Sequence, residues 1–284
     1  MMPRLGFSLE KEYDRPIQDV IRLLKAAGFS AVSPVWDPDL NLEALDSCLR
    51  SESMVIQSLH APHKNVATLW KPGSQAALEA RKAIIQCLED CQHFQIPVMV
   101  LHCWQGHHYT FPTTALDFHA FDEFVDEAKH RGVCIALENL EGEEYLAALM
   151  ERYKHMDHIG FCWDSGHDLC YPHQTDFLKH YGNRLMMTHL NDNWGLRDPS
   201  GVPSKLDDLH LLPGDGNVDW NQALRKLAQA PAQTILNFEI KKSAKSKNAC
   251  DQRYVDMPLE KFLEESGKRG FQIAEIYAMM NRDM

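Results

Sequence analysis

Short apolar runs alternate with longer amphipathic stretches from one end of the chain to the other. Residues 5–8 read as a strand and lead to a helical pattern over 17–27, with Gly28 as its stop. The alternation continues as strand 31–35 with helix 41–50, strand 54–60 with helix 75–93, and strand 98–103 with helix 115–131, stopped at Gly132. Strand 133–138 precedes helix 143–155, and strand 159–164 precedes helix 175–181, stopped at Gly182. Strand 185–190 reaches helix 221–229 only after a long loop, and strand 234–239 with helix 259–279 completes the series. Eight such units, with no linker and no break in composition, predict one α/β domain over 1–284, closed as a single (β/α)8 TIM barrel. An open doubly wound sheet is the alternative, weakened because no glycine-rich phosphate loop follows the first strand.

The loops of this pattern are unequal. Those that follow strands are long (60–74, 103–114, 191–219 and 240–258), while those that follow helices shrink to a few residues such as Gly132 or Gly182-Asn183. In a barrel the loops after the strands carry the active face, so one face is elaborate and the other minimal.

The strands also share a manner of ending. The run Leu185-Met186-Met187-Thr188 stops in His189, followed by Leu190-Asn191-Asp192. Run 54–59 stops in His60, 98–101 in His102, 133–137 in Glu138, 159–163 in Asp164 and 234–238 in Glu239. A buried parallel strand has this form when its C-terminal tip projects a ligand into a pocket. Any one of these residues alone would serve as a salt bridge or a hydrogen-bonded core group. A buried carboxylate without compensation costs several kcal/mol, however, and Glu138, Asp164, His189 and Glu239 together offer three oxygens and one nitrogen to one point. That mixture suits Mn²⁺, Zn²⁺, Co²⁺ or Fe²⁺. His60, His102, His167, and the pair Asp208 and His210 enlarge the constellation, either as further ligands or as hydrogen-bonding partners of substrate and ligands.

Composition narrows the chemistry. The chain has 284 residues, 44% apolar and 24% charged, with a formal charge of -11. An acidic protein gains no counterion release on a nucleic acid unless its basic residues cluster, so a small polar substrate is expected and nucleic acid is disfavoured. Metal at an acidic pocket would reverse the local sign and admit an anion. The N-terminus lacks a leader pattern and no window reaches ~18 apolar residues, so neither secretion nor a membrane is expected and the cytoplasm is. Eight cysteines without a disulfide pattern read as buried thiols of a reducing compartment. Self-association into a homo-oligomer is left open.

Several residues on the active face are candidates for substrate contact. Trp36, Trp104 and Trp194 suit the walls of a sugar site, with packing beneath the loops as the other reading. Arg197 could meet a hydroxyl or a phosphate. Lys241, Lys242, Lys245 and Lys247 form one basic cluster, either a solvated loop or a clamp on a substrate phosphate.

The stretches Leu59-His60-Ala61-Pro62, Val100-Leu101-His102, Leu137-Glu138-Asn139, Trp163-Asp164-Ser165-Gly166-His167, His189-Leu190-Asn191-Asp192 and Asp208-Leu209-His210 with Gly214-Asp215-Gly216-Asn217 resemble the xylose isomerase-like barrel superfamily. That superfamily includes sugar and sugar-phosphate isomerases and epimerases as well as the endonuclease IV family. Resemblance to the ketose epimerases implies that Glu138, Asp164, His189 and Glu239 hold one divalent metal, Zn²⁺ or Mn²⁺. It also implies that Glu138 and Glu239 exchange a carbon-bound proton through an enediolate. Resemblance to endonuclease IV implies three zinc ions, on His60, His102 and Glu138; on Glu138, Asp164, His189 and Glu239; and on His167, Asp208 and His210. Phosphodiester hydrolysis at an abasic site would follow. Against DNA stand the mixed or acidic stretches Glu10-Lys11-Glu12-Tyr13-Asp14 and Trp36-Asp37-Pro38-Asp39, and His63 where the repair family carries an aromatic residue. The expected function is therefore a metal-dependent sugar or sugar-phosphate isomerase or epimerase. An abasic-site phosphodiesterase and a non-catalytic metal- or sugar-binding barrel are the alternatives.

Overall fold

A computed structural model describes the chain except for residues 11–12, 72, 108, 172–173, 243–248 and 283–284. Lys11 and Glu12 of the acidic stretch, and Lys245 and Lys247 of the basic cluster, lie outside the described residues.

The strands are β1 (Arg4–Leu9), β2 (Phe29–Pro34), β3 (Val55–Ile56), β4 (Ser58–His60), β5 (Val98–His102), β6 (Cys134–Glu138), β7 (Ile159–Asp164), β8 (Leu185–His189) and β9 (Ile235–Phe238). Their pairings are parallel, in the orders β3-β2-β1-β9 and β4-β5-β6-β7-β8. Two seams join these sheets into a barrel. At one, the Gln57 N–H donates to Val32 O (2.8 Å) and Val35 bridges His60. At the other, Leu190 N–H donates to Asn237 O (2.8 Å) and Glu239 N–H to Leu190 O (3.0 Å). The third expected strand is thus broken at Gln57, where the chain leaves one sheet and joins the other.

The helices around the barrel are α1 (Ile17–Ala26), α2 (Leu42–Ser51), α3 (Gln75–His93), α4 (His119–Arg131), α5 (Glu143–Arg152), α6 (His167–Cys170), α7 (Phe177–Tyr181), α8 (Trp220–Leu227), α9 (Ala249–Asp256) and α10 (Leu259–Met280). Local chemistry sets their ends. The Ser74 hydroxyl accepts from Ala77 N–H to open α3, and Asp219 accepts from Gln222 N–H to open α8. Gly132 closes α4 at φ +69°, a backbone shape that costs other residues a clash at Cβ. Helix α4 begins four residues later than its pattern suggested, after a turn in which Asp117 accepts from His119 N–H (2.9 Å). The short helices α6 and α9 and a 3-10 turn at Val66–Trp70 arise inside expected loops, where too few residues exist to reveal a helical period.

Both faces of the strands are covered, as a parallel sheet between helices requires. The main core lies between strands and helices, while Val100, Ala136, Cys162 and Met187 form a separate apolar layer. Two residues further along the same strands, on the same face, stand His102, Glu138, Asp164 and His189. Strand register then fixes their neighbours: His102 pairs Glu138 and Asp164 pairs His189. The apolar layer is the floor on which the polar row rests. Among the described residues no helix is long and apolar enough to cross a membrane, and the described cysteines are free thiols.

Candidate metal centre

Six of the nine candidate ligands sit at strand ends, and the long loop after β8 brings the Asp208-His210 pair back to them. This return depends on Asp192. Its backbone pairs antiparallel with Leu211 (2.8 Å in both directions), and its buried carboxylate accepts from Asn193, Gly214 and Val218 N–H and from the Trp220 indole. One side chain thereby folds the loop so that Asp208 and His210 face the barrel mouth.

Three overlapping groups result, each with ligand atoms within 4.8 Å of one another: His60, His102 and Glu138; Glu138, Asp164, His189 and Glu239; and Asp164, His167 and His210. His189 Nδ1 lies 3.0 Å from Glu138 Oε1 and 2.8 Å from Glu239 Oε2. The other oxygen of Glu138 lies 3.2 Å from His60 Nε2 and 3.3 Å from His102 Nε2. Asp208 stands 3.5 Å from His167 Nε2 and 2.8 Å from His210 Nδ1.

The donor set fits a cation. His60 Nδ1 lies 2.8 Å from Ala61 O, which can only accept, so this nitrogen carries the proton and Nε2 presents its lone pair. That lone pair meets the Glu138 carboxylate and His102 Nε2 (3.1 Å), itself a further ligand-type nitrogen. His167 has acceptors at both ring nitrogens, Asn139 O 3.0 Å from Nδ1 and Asp208 3.5 Å from Nε2, and Asp164, Asp208 and Glu138 hold its imidazole well above the usual range against its burial. Electron pairs that converge in a dry interior require positive charge between them.

The enclosed groups also shift one another's protonation. Burial pushes the Glu138 carboxyl up, but the His189 charge and hydrogen bonds from His102, His167 and His189 reverse this and hold it well below the usual carboxylate range. Glu239 is likewise opposed by burial yet held low by Lys241, His189 and His210. Burial, with Glu138 and Glu239 beside it, raises Asp164, and burial, with His60 and His167 beside it, lowers His102. His63 is pushed down to about 3 by burial and by the neighbouring His102 and His60. His189 is driven up against its burial by Cys162, Glu138 and Glu239.

Asparagines orient the ligands, a role not legible in the sequence although they flank the ligands there. Asn139 donates to Asp164 O and accepts from Asp164 N–H (2.9 and 2.7 Å). Asn191 Nδ2 donates to both Asp164 oxygens (3.1 and 2.9 Å). Gly166 is required beside it, because a Cβ there would collide with the Asn191 side chain.

A cavity of about 480 Å³ opens beside His102, His167 and Asp208, with Tyr171, His107 and Lys205 among its walls. The substrate-contact candidates are placed unevenly around it. Trp36 takes the packing role: it is buried in the core at 4% exposure, with its indole N–H donated to Asp90 on α3 (2.6 Å). Trp104 stacks on Tyr145 (4.3 Å, 3° between planes) and donates to Gly106 O, so it braces a wall from behind. Trp194 donates to Asp215 O (3.0 Å), and Arg197 is spent on Asp207 and the Leu206 carbonyl; neither lines this cavity. Lys241 turns inward, 3.2 Å from Glu239 Oε1.

A relative from Sinorhizobium fredii, the uncharacterized protein y4fM, is 38% identical over 129 residues, which cover 43% of this chain and 38% of that protein. Among solved structures, the IolI protein with a bound zinc atom aligns with a TM-score of 0.73 at 16% identity, over 96% of this chain and 99% of its own. An L-ribulose 3-epimerase aligns with a TM-score of 0.72 at 14% identity, over 99% and 97%. At such identities the likeness establishes the fold alone. A family model described as a xylose isomerase-like TIM barrel matches residues 21–256.

Proposed function

Since the chain belongs to the xylose isomerase-like TIM barrel family, we propose that it is a divalent-metal-dependent isomerase or epimerase of sugars or sugar phosphates. The observation that carries this reading is the pair Glu138 and Glu239, whose oxygens lie 3.0 and 2.8 Å from the same His189 nitrogen. Two carboxylates, one from the end of β6 and one just beyond β9, thus reach one point. The epimerase among the fold neighbours supports the carbohydrate class, and the cavity is of small-molecule size.

Glu138, Asp164, His189 and Glu239 would hold the ion. When bound, such an ion polarises a carbonyl and offsets the charge that develops as the neighbouring carbon loses its proton. The chain's own residues do the rest. One glutamate accepts the carbon-bound proton and the other returns one, to the opposite face in an epimerase or to the adjacent carbon in an isomerase. Asn139 and Asn191 hold Asp164 in place, and the apolar layer beneath keeps water from the barrel side.

The test is exchange. In deuterated water, a panel of free and phosphorylated ketoses should include one substrate that gains deuterium at the carbon that loses its proton and yields a second sugar. Sugar binding without any exchange would leave a non-catalytic barrel. A second reading has its own observation: His60, His102 and Glu138 form one group and Asp164, His167 and His210 another, with Asp208 2.8 Å from His210, which supports a three-zinc phosphodiesterase. Nicking of abasic duplex DNA, with no sugar exchange, would establish that reading instead.

A further inference from the structure

We propose that Lys241 is a built-in counter-cation that competes with metal for His210 and so limits how many ions this nest accepts. The inference rests on the metal-dependent reading and deepens it.

Lys241 lies two residues beyond Glu239, and its backbone N–H donates to His210 O (3.0 Å), so the lysine is tied to the same loop segment as that histidine. Its ammonium lies 3.2 Å from Glu239 Oε1 and 3.1 Å from His210 Nε2. Those contacts belong to two different candidate groups, since Glu239 is in the central one and His210 is with Asp164 and His167. The lysine stands on their boundary. Its neighbour Lys242 does not, because its ammonium is spent on Val255 O (2.9 Å).

Chemistry then decides what that position does. An ammonium only donates, so in this contact His210 Nε2 accepts with its lone pair, with Glu239 Oε1 3.4 Å from the same nitrogen. The opposite ring nitrogen, Nδ1, faces Asp208 at 2.8 Å and can donate to it. A lone pair engaged by an ammonium is not available to a metal. Charge acts in the same direction. Glu138, Asp164, Asp208 and Glu239 bring four carboxylates, and Lys241 offsets one of them. Four carboxylates, one ammonium and one divalent ion leave a single net negative charge, whereas three such ions would leave a net charge of three positive beside the enclosed ligands. The arrangement favours the central ion on Glu138, Asp164, His189 and Glu239 over one at His210.

The experiment compares the full-length protein with Lys241→Met, Lys241→Arg and Lys242→Met. Each is stripped of metal, titrated with Zn²⁺ in a calorimeter at fixed pH, and its bound zinc measured after gel filtration. Circular dichroism shows that each variant is folded. Lys241→Met should retain one more zinc equivalent than the wild type, or bind its last ion at least about tenfold more tightly, as expected when a like charge in contact is removed. Lys241→Arg and Lys242→Met should match the wild type. Equal occupancy and affinity in the wild type and Lys241→Met would overturn the counter-cation role while leaving the metal centre standing. Wild-type protein that binds no zinc would remove the metal-dependent reading itself. Loss of an ion in Lys241→Met would also overturn the inference, since it would make the lysine a support for metal rather than its competitor.

Discussion

Glu138→Gln and Glu239→Gln should each lower exchange of the substrate's carbon-bound proton with solvent by about a thousandfold, within the range that a positioned general acid or base supplies. Glutamine keeps the size of the side chain but can neither accept nor release a proton at the carbon. Both glutamates are buried, with Glu138 fully enclosed and Glu239 at 7% exposure, so bulk water has no ready path to replace them. The two substitutions differ in their side effects. Glu138 joins His60 and His102 on one oxygen and His189 on the other, so its amide disturbs two candidate groups. Glu239 is also the partner of Lys241, whose ammonium would lose its carboxylate. Metal content measured beside deuterium exchange separates the causes: exchange lost with metal retained identifies proton transfer. Wild-type exchange in both variants would remove this mechanism.

Chelation is the second large effect. Stripping the protein of divalent metal should abolish turnover and lower the melting temperature by about 8 °C or more. Free ion at roughly a thousandfold above its dissociation constant stabilises the native state by about 4 kcal/mol, and each kcal/mol corresponds to ~2–4 °C in a chain of somewhat smaller size. The cause is local. Glu138, Asp164 and His189 are enclosed among other ionisable groups, and the positive charge that suits their lone pairs is what the ion supplies. Differential scanning fluorimetry with and without chelator, then with Zn²⁺ or Mn²⁺ restored, measures the shift. An unchanged melting temperature would mean that the cluster is stable through its own hydrogen bonds.

Much of this architecture was legible because strand ends are short and abrupt. His102, Glu138, Asp164 and His189 each follow an apolar run, and parallel register carries that regularity directly into space. The break at Gln57 left no such trace, since it reflects which sheet the backbone pairs with rather than which side chains are apolar. The choice between the two readings of Trp36 is hidden for a related reason: its partner, Asp90, lies 54 residues away on a helix, and only the fold brings an acceptor to the indole. Asp208 and His210 stand out by their spacing, but the side chain that delivers them, Asp192, follows His189 with nothing in the sequence to mark that role. The asparagines at 139 and 191 were in view within the quoted stretches, yet orientation of a neighbour's carboxylate has no periodic signature.

The central claim is that Glu138, Asp164, His189 and Glu239 surround one divalent ion. Diffraction from crystals grown with Zn²⁺, recorded on both sides of the zinc absorption edge, tests it most directly. The expected result is an anomalous peak within about 2.0–2.3 Å of a ligand atom from each of the four residues. A peak held elsewhere, or none at full zinc saturation, would contradict it.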